Sequence, residues 1–262
     1  MRLSQVSFRY SRRGPWILRD VELSLHPGSV TEVTGHNGAG KSTLLRLLAG
    51  FVPPSHGAIS DRPGTVGYAP DVFPTDQPFT VAAYLAHMSR IRGGSPASAM
   101  ELTGRLNASH LLEQPLGDLS KGSAQKIGLI QALLAPPDLL ILDEPFAGLD
   151  EQTRAELPLI IDEISSAGGM VVVSDHQNQL RAFPGATHWL VADATVTPHT
   201  PEPQARPAGT RLDHPRDVDH LPPHGSEPSA RQVVIEVIVD AGDADEVEQK
   251  LRADGYLTRR SS

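Results

Sequence analysis

No cysteine occurs anywhere in the chain. Disulfides, thiol nucleophiles and thiolate metal sites are therefore excluded. Aromatic residues make up only 5% of the sequence, and the lysines are Lys41, Lys121, Lys126 and Lys250. Long apolar runs are missing as well. The longest without Ala or aromatic residues, 139–142 and 170–173, fall far short of the ~20 residues that a membrane-spanning helix needs. Positive charge is in deficit, with 23 Lys and Arg against 31 Asp and Glu and a formal net charge of −8. That balance gives no basic face for coating nucleic acid, so no nucleic-acid partner is expected. Residues 1–13 contain no apolar core of the signal-peptide kind. The protein is expected to be cytoplasmic and to work at a membrane only through another subunit.

What is present suffices for a buried core: 262 residues, 39% of them apolar. Residues 1–197 alternate apolar runs with turn signals and amphipathic stretches. Residues 198–228 differ: they are rich in Pro, almost free of aliphatic residues, and carry His199, His214, His220 and His224. Such a segment cannot bury enough apolar area to order itself, and it reads as a mobile linker. The spacing of the four His is irregular, which favours the linker over a metal site. Residues 231–239 alternate and are β-branched, as a strand requires, and 244–254 reads as a helix. Residues 229–262 are thus expected to form a small C-terminal strand-helix extension.

Three runs in the main domain, 30–34, 139–142 and 170–174, read as buried parallel strands, and each ends on polar residues. In open parallel sheets the ligand crevice lies at those carboxyl ends. Between the first two runs, residues of about 78–132 read as helical, over 81–91, 98–112 and 120–134. The fold class expected is α/β, with a mainly parallel core sheet, an N-terminal antiparallel β part and a helical insert.

The run Gly35-His36-Asn37-Gly38-Ala39-Gly40-Lys41-Ser42, followed by Thr43, fits the phosphate-binding loop, Gly-x4-Gly-Lys-Ser/Thr. Its glycines let backbone N–H groups curl around phosphate oxygens. Lys41 is placed to reach the β- and γ-phosphates, and the Ser42 hydroxyl to bind Mg²⁺. The helix that follows points its positive end at the anion. The loop predicts a phosphate-bearing nucleotide and Mg²⁺ as cofactors. Farther on, 139–142 ends in Asp143 and Glu144. Asp143 is predicted to hold Mg²⁺ through water and Glu144 to orient or deprotonate the attacking water.

These motifs together resemble the ATP-binding-cassette (ABC) ATPases. Leu119-Ser120-Lys121-Gly122-Ser123 resembles the family's signature motif, and 125–145 matches its flanking pattern almost throughout. Ala147-Gly148-Leu149-Asp150 looks like its D-loop. His176 stands where the family has its switch histidine, and Tyr10 where an aromatic stacks on adenine. The resemblance covers residues 3 to about 197. It implies a head-to-tail dimer in which Ser120 and the Gly122 backbone contact the γ-phosphate held by the other copy. It implies that the nucleotide is ATP, and it implies a catalytic role for His176. Read from its own neighbours, Tyr10 could instead face the core of an edge strand beside Val6 and Phe8.

Two departures stand out. Lys121 and Ser123 are atypical of the signature. Asp71 follows Val66-Gly67-Tyr68-Ala69-Pro70, where the family has a Gln that contacts Mg²⁺ and the membrane partner, and Gln77 comes six residues too late. Asp71 is expected to serve as a metal ligand, with a solvent-facing loop residue as the alternative. The function implied by the resemblance is the ATP-hydrolysing subunit of a membrane transporter, of the two-component exporter type. Its partners are a permease and a second copy or a related cassette, and it sits on the inner face of the cell membrane. The alternative is a soluble ABC ATPase that remodels a macromolecular complex.

Overall fold

A computed structural model of the protein describes residues 1–175, 180 and 183–199. The chain divides into two units, 1–205 and 206–262, and all described residues lie in the first. The expected extension over 229–262, and all but the first two residues of the expected linker, lie outside the described residues.

Strands β1 (Arg2–Phe8), β2 (Leu18–Ser24) and β4 (His56–Ser60) form an antiparallel sheet in the order β2-β1-β4. Along β1 the alternation of buried and exposed residues breaks at Gln5, whose φ is 50°, and the register shifts there. The bulge turns Val6, Ser7 and Phe8 all into buried positions.

The main sheet has the order β5-β6-β7-β3-β8-β9. Strands β5 (Val66–Ala69), β6 (Leu139–Asp143), β7 (Met170–Ser174), β3 (Val30–Thr34) and β8 (Thr187–Ala192) run parallel. Strand β9 (Thr195–His199) returns antiparallel. Its hairpin turns on Asp193 and Ala194, both at positive φ, as a two-residue turn of the primed kind requires. The expected linker begins at Pro198, yet pairing continues through Pro198 and His199 on this edge strand.

Because both faces of the sheet are covered, successive side chains of one strand enter different cores. Ile141 and Val172 pack with Leu44, Leu45, Leu47 and Leu48 of helix α1 (Lys41–Ala49). Leu140, Leu142, Val171 and Val173 pack with the other helices. These are α2 (Val81–Arg92), α3 (Pro96–Arg105), α4 (Lys121–Leu133) and α5 (Glu151–Ser166). Among the described residues no helix is long and apolar enough to cross a membrane.

The expected helix over 98–112 stops at Arg105. Asn107 adopts φ 48°, a left-handed residue that ends the helix, and a short 3₁₀ turn follows at Ser109–Leu111. Arg105 ties this helical insert to α5. Its Nη1 and Nη2 donate to Glu163 at 2.8 Å each, and Nε donates to Glu156 at 2.7 Å. The bonds from Arg105 hold the Glu163 carboxyl below its ordinary range. A carboxylate whose pKa is lowered by folding stabilises the fold at neutral pH, and that contribution fades as pH falls through the folded pKa. Glu163 is more than half exposed, so solvent screens the pair. Arg105→Met is expected to lower unfolding free energy by about 1 kcal/mol at pH 7. The difference from the parent should shrink when denaturant melts are repeated at acid pH.

Candidate active site

The carboxyl ends of β3, β6 and β7 lie side by side, and the polar residues that follow them meet there. After β3 the backbone turns at Gly35, Gly38 and Gly40, with φ of 145°, 80° and 113°. At Gly35 a side chain is excluded twice over: its φ favours glycine, and a Cβ would stand 2.4 Å from the Val191 carbonyl oxygen of the neighbouring strand. The loop between His36 and Ala39 is exposed, held by a bond from the Ala39 N–H to the His36 carbonyl at 3.1 Å. Helix α1 then starts with no side-chain cap. Its first N–H groups therefore face the loop as an anion site.

Tyr10, Asn37, Gly38, Gly40, Lys41, Ser42, Thr43, Asp71 and Glu144 line one cleft of about 310 Å³, together with Ile17. Lys41 is buried, its Nζ donating to the Gly35 carbonyl at 2.9 Å and lying 3.7 Å from Glu144 Oε1. Asp143 lies at the end of β6, 3% exposed. Burial pushes its carboxyl up, hydrogen bonds from Ser174 and Ser42 pull it down, and the nearby Asp71 and Glu144 charges push it up again; the net direction is up. Glu144 has φ 51°, an uncommon conformation for a non-glycine residue and a form of strain that clusters at functional sites.

Three contributors were not singled out from the sequence. Ser174, at the end of β7, donates from Oγ to Asp143 Oδ1 at 2.7 Å and accepts from the Glu144 N–H at 3.0 Å. One hydroxyl thus aims both carboxylate residues. The other two are Arg46 and Tyr68. Tyr10 is exposed beyond the end of β1, so it does not face the core of an edge strand. Its hydroxyl meets Thr43 Oγ1 at 3.1 Å and accepts from Arg46 Nη1 at 3.4 Å. Tyr68 lies on the α1 side of β5, on the strand face that also carries Asp143. Its phenol is pushed up to about 12, first by burial and then by the Asp143 charge, with Arg46 opposing. No glycine-like signature marks these residues, because ordinary side chains at strand ends carry no motif of their own.

Other expected residues lie elsewhere. Ser120 caps α4, accepting from the Ser123 N–H at 3.2 Å. Neither Ser120 nor Gly122 lines the cleft of its own chain. Gln77 donates to the Pro74 carbonyl at 3.0 Å and is absent from the cleft lining, whereas half-buried Asp71 is part of it. His176 lies outside the described residues.

The oxygen-only donors Ser42 and Asp143, in contact with each other and bordered by Asp71, suit a hard cation such as Mg²⁺. Among the described residues no group of three or more His, Cys, Asp or Glu is arranged to hold a metal unaided. That fits a cation which takes one or two protein oxygens and completes its shell with phosphate and water.

The family model for ABC transporters matches residues 18–147. The zinc import ATP-binding protein ZnuC of Yersinia pestis is 37% identical over 175 residues, 65% of this chain and 67% of that protein. ZnuC of Pseudomonas aeruginosa is 36% identical over 176 residues, 66% of this chain and 64% of its own. Among solved structures, the ATP-binding subunit of an ABC transporter aligns over 74% of this chain and 87% of its own, with TM-score 0.67 and 25% identity. A transporter described as of the metal-chelate ABC type, in an inward-facing conformation, aligns over 76% of this chain and 82% of its own, with TM-score 0.62 and 27% identity. The phosphate loop, the paired carboxylates at the end of β6 and these likenesses converge: the chain belongs to the ABC transporter family, as an ATP-binding and ATP-hydrolysing subunit.

Proposed function

We propose that the chain is the Mg²⁺-dependent motor of a membrane importer for a metal ion, zinc in the first instance. The cleft lined by Lys41, Ser42 and Glu144 supports the chemistry. The observation that carries the cargo and the direction is the 37% identity to zinc import ATP-binding proteins. Import replaces the exporter expected from the sequence, which rested on a single cassette with a short helical insert, no membrane span and a C-terminal strand-helix extension. Those features suit either direction.

In this reading Tyr10 offers its exposed ring to the base. The loop from Gly35 through Gly40 turns backbone N–H groups toward the phosphates. Lys41 leaves the Gly35 carbonyl to meet them. Ser42 and Asp143 would hold Mg²⁺, which would supply positive charge to offset that of the phosphates. Glu144, aimed by Ser174, accepts a hydrogen bond from the attacking water and takes its proton as the water oxygen bonds to the γ-phosphorus; the bond from that phosphorus to the β–γ bridging oxygen breaks, and ADP leaves with its electron pair. Ser120 and the Gly122 backbone close the γ-phosphate site of a second copy. Their position outside their own cleft fits a role across an interface. His176 is assigned to the same catalytic step. Residues 1–197 form the ATPase domain, with 198–228 as linker and 229–262 as extension. The permease docks beside the helical insert, where Val72 and Ile91 are exposed, and this contact holds the subunit at the inner membrane face.

Deleting the gene is expected to abolish high-affinity uptake of radiolabelled zinc. The parental chain should restore uptake and a Glu144→Gln chain should not. Unchanged zinc uptake in the deletion strain would remove the cargo assignment.

Asp71 supplies a second prediction. Its half-buried carboxylate lines the cleft and its charge is felt by Asp143. Asp71→Asn and Asp71→Gln remove that charge, and the Mg²⁺ concentration for half-maximal ATPase should rise roughly 3- to 10-fold, since hard anionic oxygens bind Mg²⁺ best. An unchanged Mg²⁺ profile in both variants would leave Asp71 as a loop residue with no part in the site.

A further inference from the structure

The first turn of α4 and the turn at residues 147–150 are bound to one another by two independent contacts. The first is backbone to backbone. A Cβ on Gly122 would stand 2.2 Å from the Gly148 carbonyl oxygen. Gly148 itself has φ 74°. The two segments thus touch with no side chain between them, and Gly122 is needed inside its own chain, whatever its backbone does for a nucleotide.

The second contact is ionic. Lys126, one turn further along α4, is 5% exposed. Its Nζ donates to the Asp150 carboxylate and, at 2.9 Å, to the Asn107 carbonyl. Asn107 Nδ2 donates to the same Asp150 oxygen at 3.2 Å. The other Asp150 oxygen accepts from the Thr153 N–H at 2.8 Å, capping α5. The buried Thr153 hydroxyl donates to the Leu106 carbonyl at 3.1 Å. Burial would push the Asp150 carboxyl up, but the bonds from Lys126 and Thr153 override it and hold it well below the usual carboxylate range. Those bonds favour its anionic form.

The ammonium of Lys126 has little water to turn to. A buried cation is tolerated only while its partners stay in place. If the 147–150 turn moved away from α4, Lys126 would lose its counter-charge, α5 would lose its cap, and Asn107 would lose an acceptor. Partial displacement is thus penalised at several points at once, so the arrangement moves as a unit.

We infer that Lys126 is a positioning residue: with Asp150 it locks the Ser120–Gly122 segment and the 147–150 turn into one block that meets a second copy of this chain as a single surface. The inference rests on the proposed closure of two copies around ATP, because it says what each copy presents. The 147–150 turn also leads directly back to Glu144, through the bond from the Ala147 N–H to the Glu144 carbonyl at 3.3 Å. Contact made by the block is thereby mechanically close to the residue proposed to handle water.

The test uses the full-length chain carrying Glu144→Gln, with Lys126→Met, Lys126→Arg or Asp150→Asn added. Two readouts are taken: the Mg-ATP-driven dimer dissociation constant by sedimentation, and hydrogen exchange of the amides at 122–124 and 147–149 without nucleotide. Lys126→Met should weaken the dimer about tenfold or more while leaving the affinity of the single chain for a fluorescent ATP analogue unchanged, as expected when a coupled network is broken. Lys126→Arg should restore most of the loss. Lys126→Met combined with Asp150→Asn should be little worse than either alone. Exchange should rise in both segments together, about tenfold. Undiminished dimerisation of Lys126→Met, or exchange rising in one segment and not the other, would overturn the lock. A Glu144→Gln chain that never dimerises would refute the two-copy reading, and hydrogen exchange would still decide whether the block exists.

Discussion

Glu144→Gln is expected to bind ATP as tightly as the parental chain and to hydrolyse it roughly 10²- to 10⁴-fold more slowly, the range general-base catalysis contributes. The geometry separates the two effects. Glu144 lines the cleft and lies 3.7 Å from Lys41, yet the phosphate contacts proposed above come from the loop and from α1. Gln keeps the shape and the hydrogen-bonding reach of Glu but cannot take a proton. The backbone demand is also preserved, since the φ of 51° is set by the bonds from the Glu144 N–H to Ser174 and not by the side chain. Equilibrium binding of a fluorescent nucleotide beside phosphate release over time will separate binding from turnover. Turnover at the parental rate would mean that another group activates water.

The second large effect concerns Lys41. Its ammonium is buried among Gly35 and Glu144, so the cleft contains a cation already stripped of most of its water. A charge-assisted bond from such a group to phosphate is among the stronger ones available. Lys41→Met keeps the length and the apolar stem and removes the charge. Affinity for ATP should fall about 10- to 10²-fold, in line with the ~1.5–3 kcal/mol of a hydrogen bond to a charged group. Hydrolysis should fall further, because charge grows on the phosphate oxygens in the transition state. A Lys41→Met chain with parental ATP affinity would show that the loop amides and α1 suffice for binding.

Much of this arrangement is legible in the sequence because its determinants are local. The glycine spacing of 35–40 reports positive φ angles, and the apolar runs at 30–34, 139–142 and 170–174 report strands buried on both faces. Asp143 and Glu144 are visible because two acids after such a run must stand at a strand end. The limits are equally physical. Helix α5 contains Pro158, which breaks the usual pattern of a helix interior, so the sequence does not announce a helix across 151–166. Strands β8 and β9, the last two of the sheet, mix Thr, His, Trp and Pro and show no clean alternation in the sequence. Ser174 aims both carboxylates across a strand pair, a relation that appears only once β6 and β7 are in register. The Lys126–Asp150 contact likewise joins residues 24 apart in the chain. Asp71 was noticed as a departure, but only the cleft shows that its carboxylate faces the site while Gln77 does not. Direction of transport left no trace in any motif, because the ATP chemistry is the same for import and export.

In the proposed cycle two copies of the chain close around Mg-ATP, each completing the other's γ-phosphate site with Ser120 and Gly122. Sedimentation of the Glu144→Gln chain with and without Mg-ATP tests it most directly. A monomer is expected without nucleotide and a dimer with it, and the dimer should be lost again in Ser120→Arg. A monomer under both conditions at high protein concentration would contradict it.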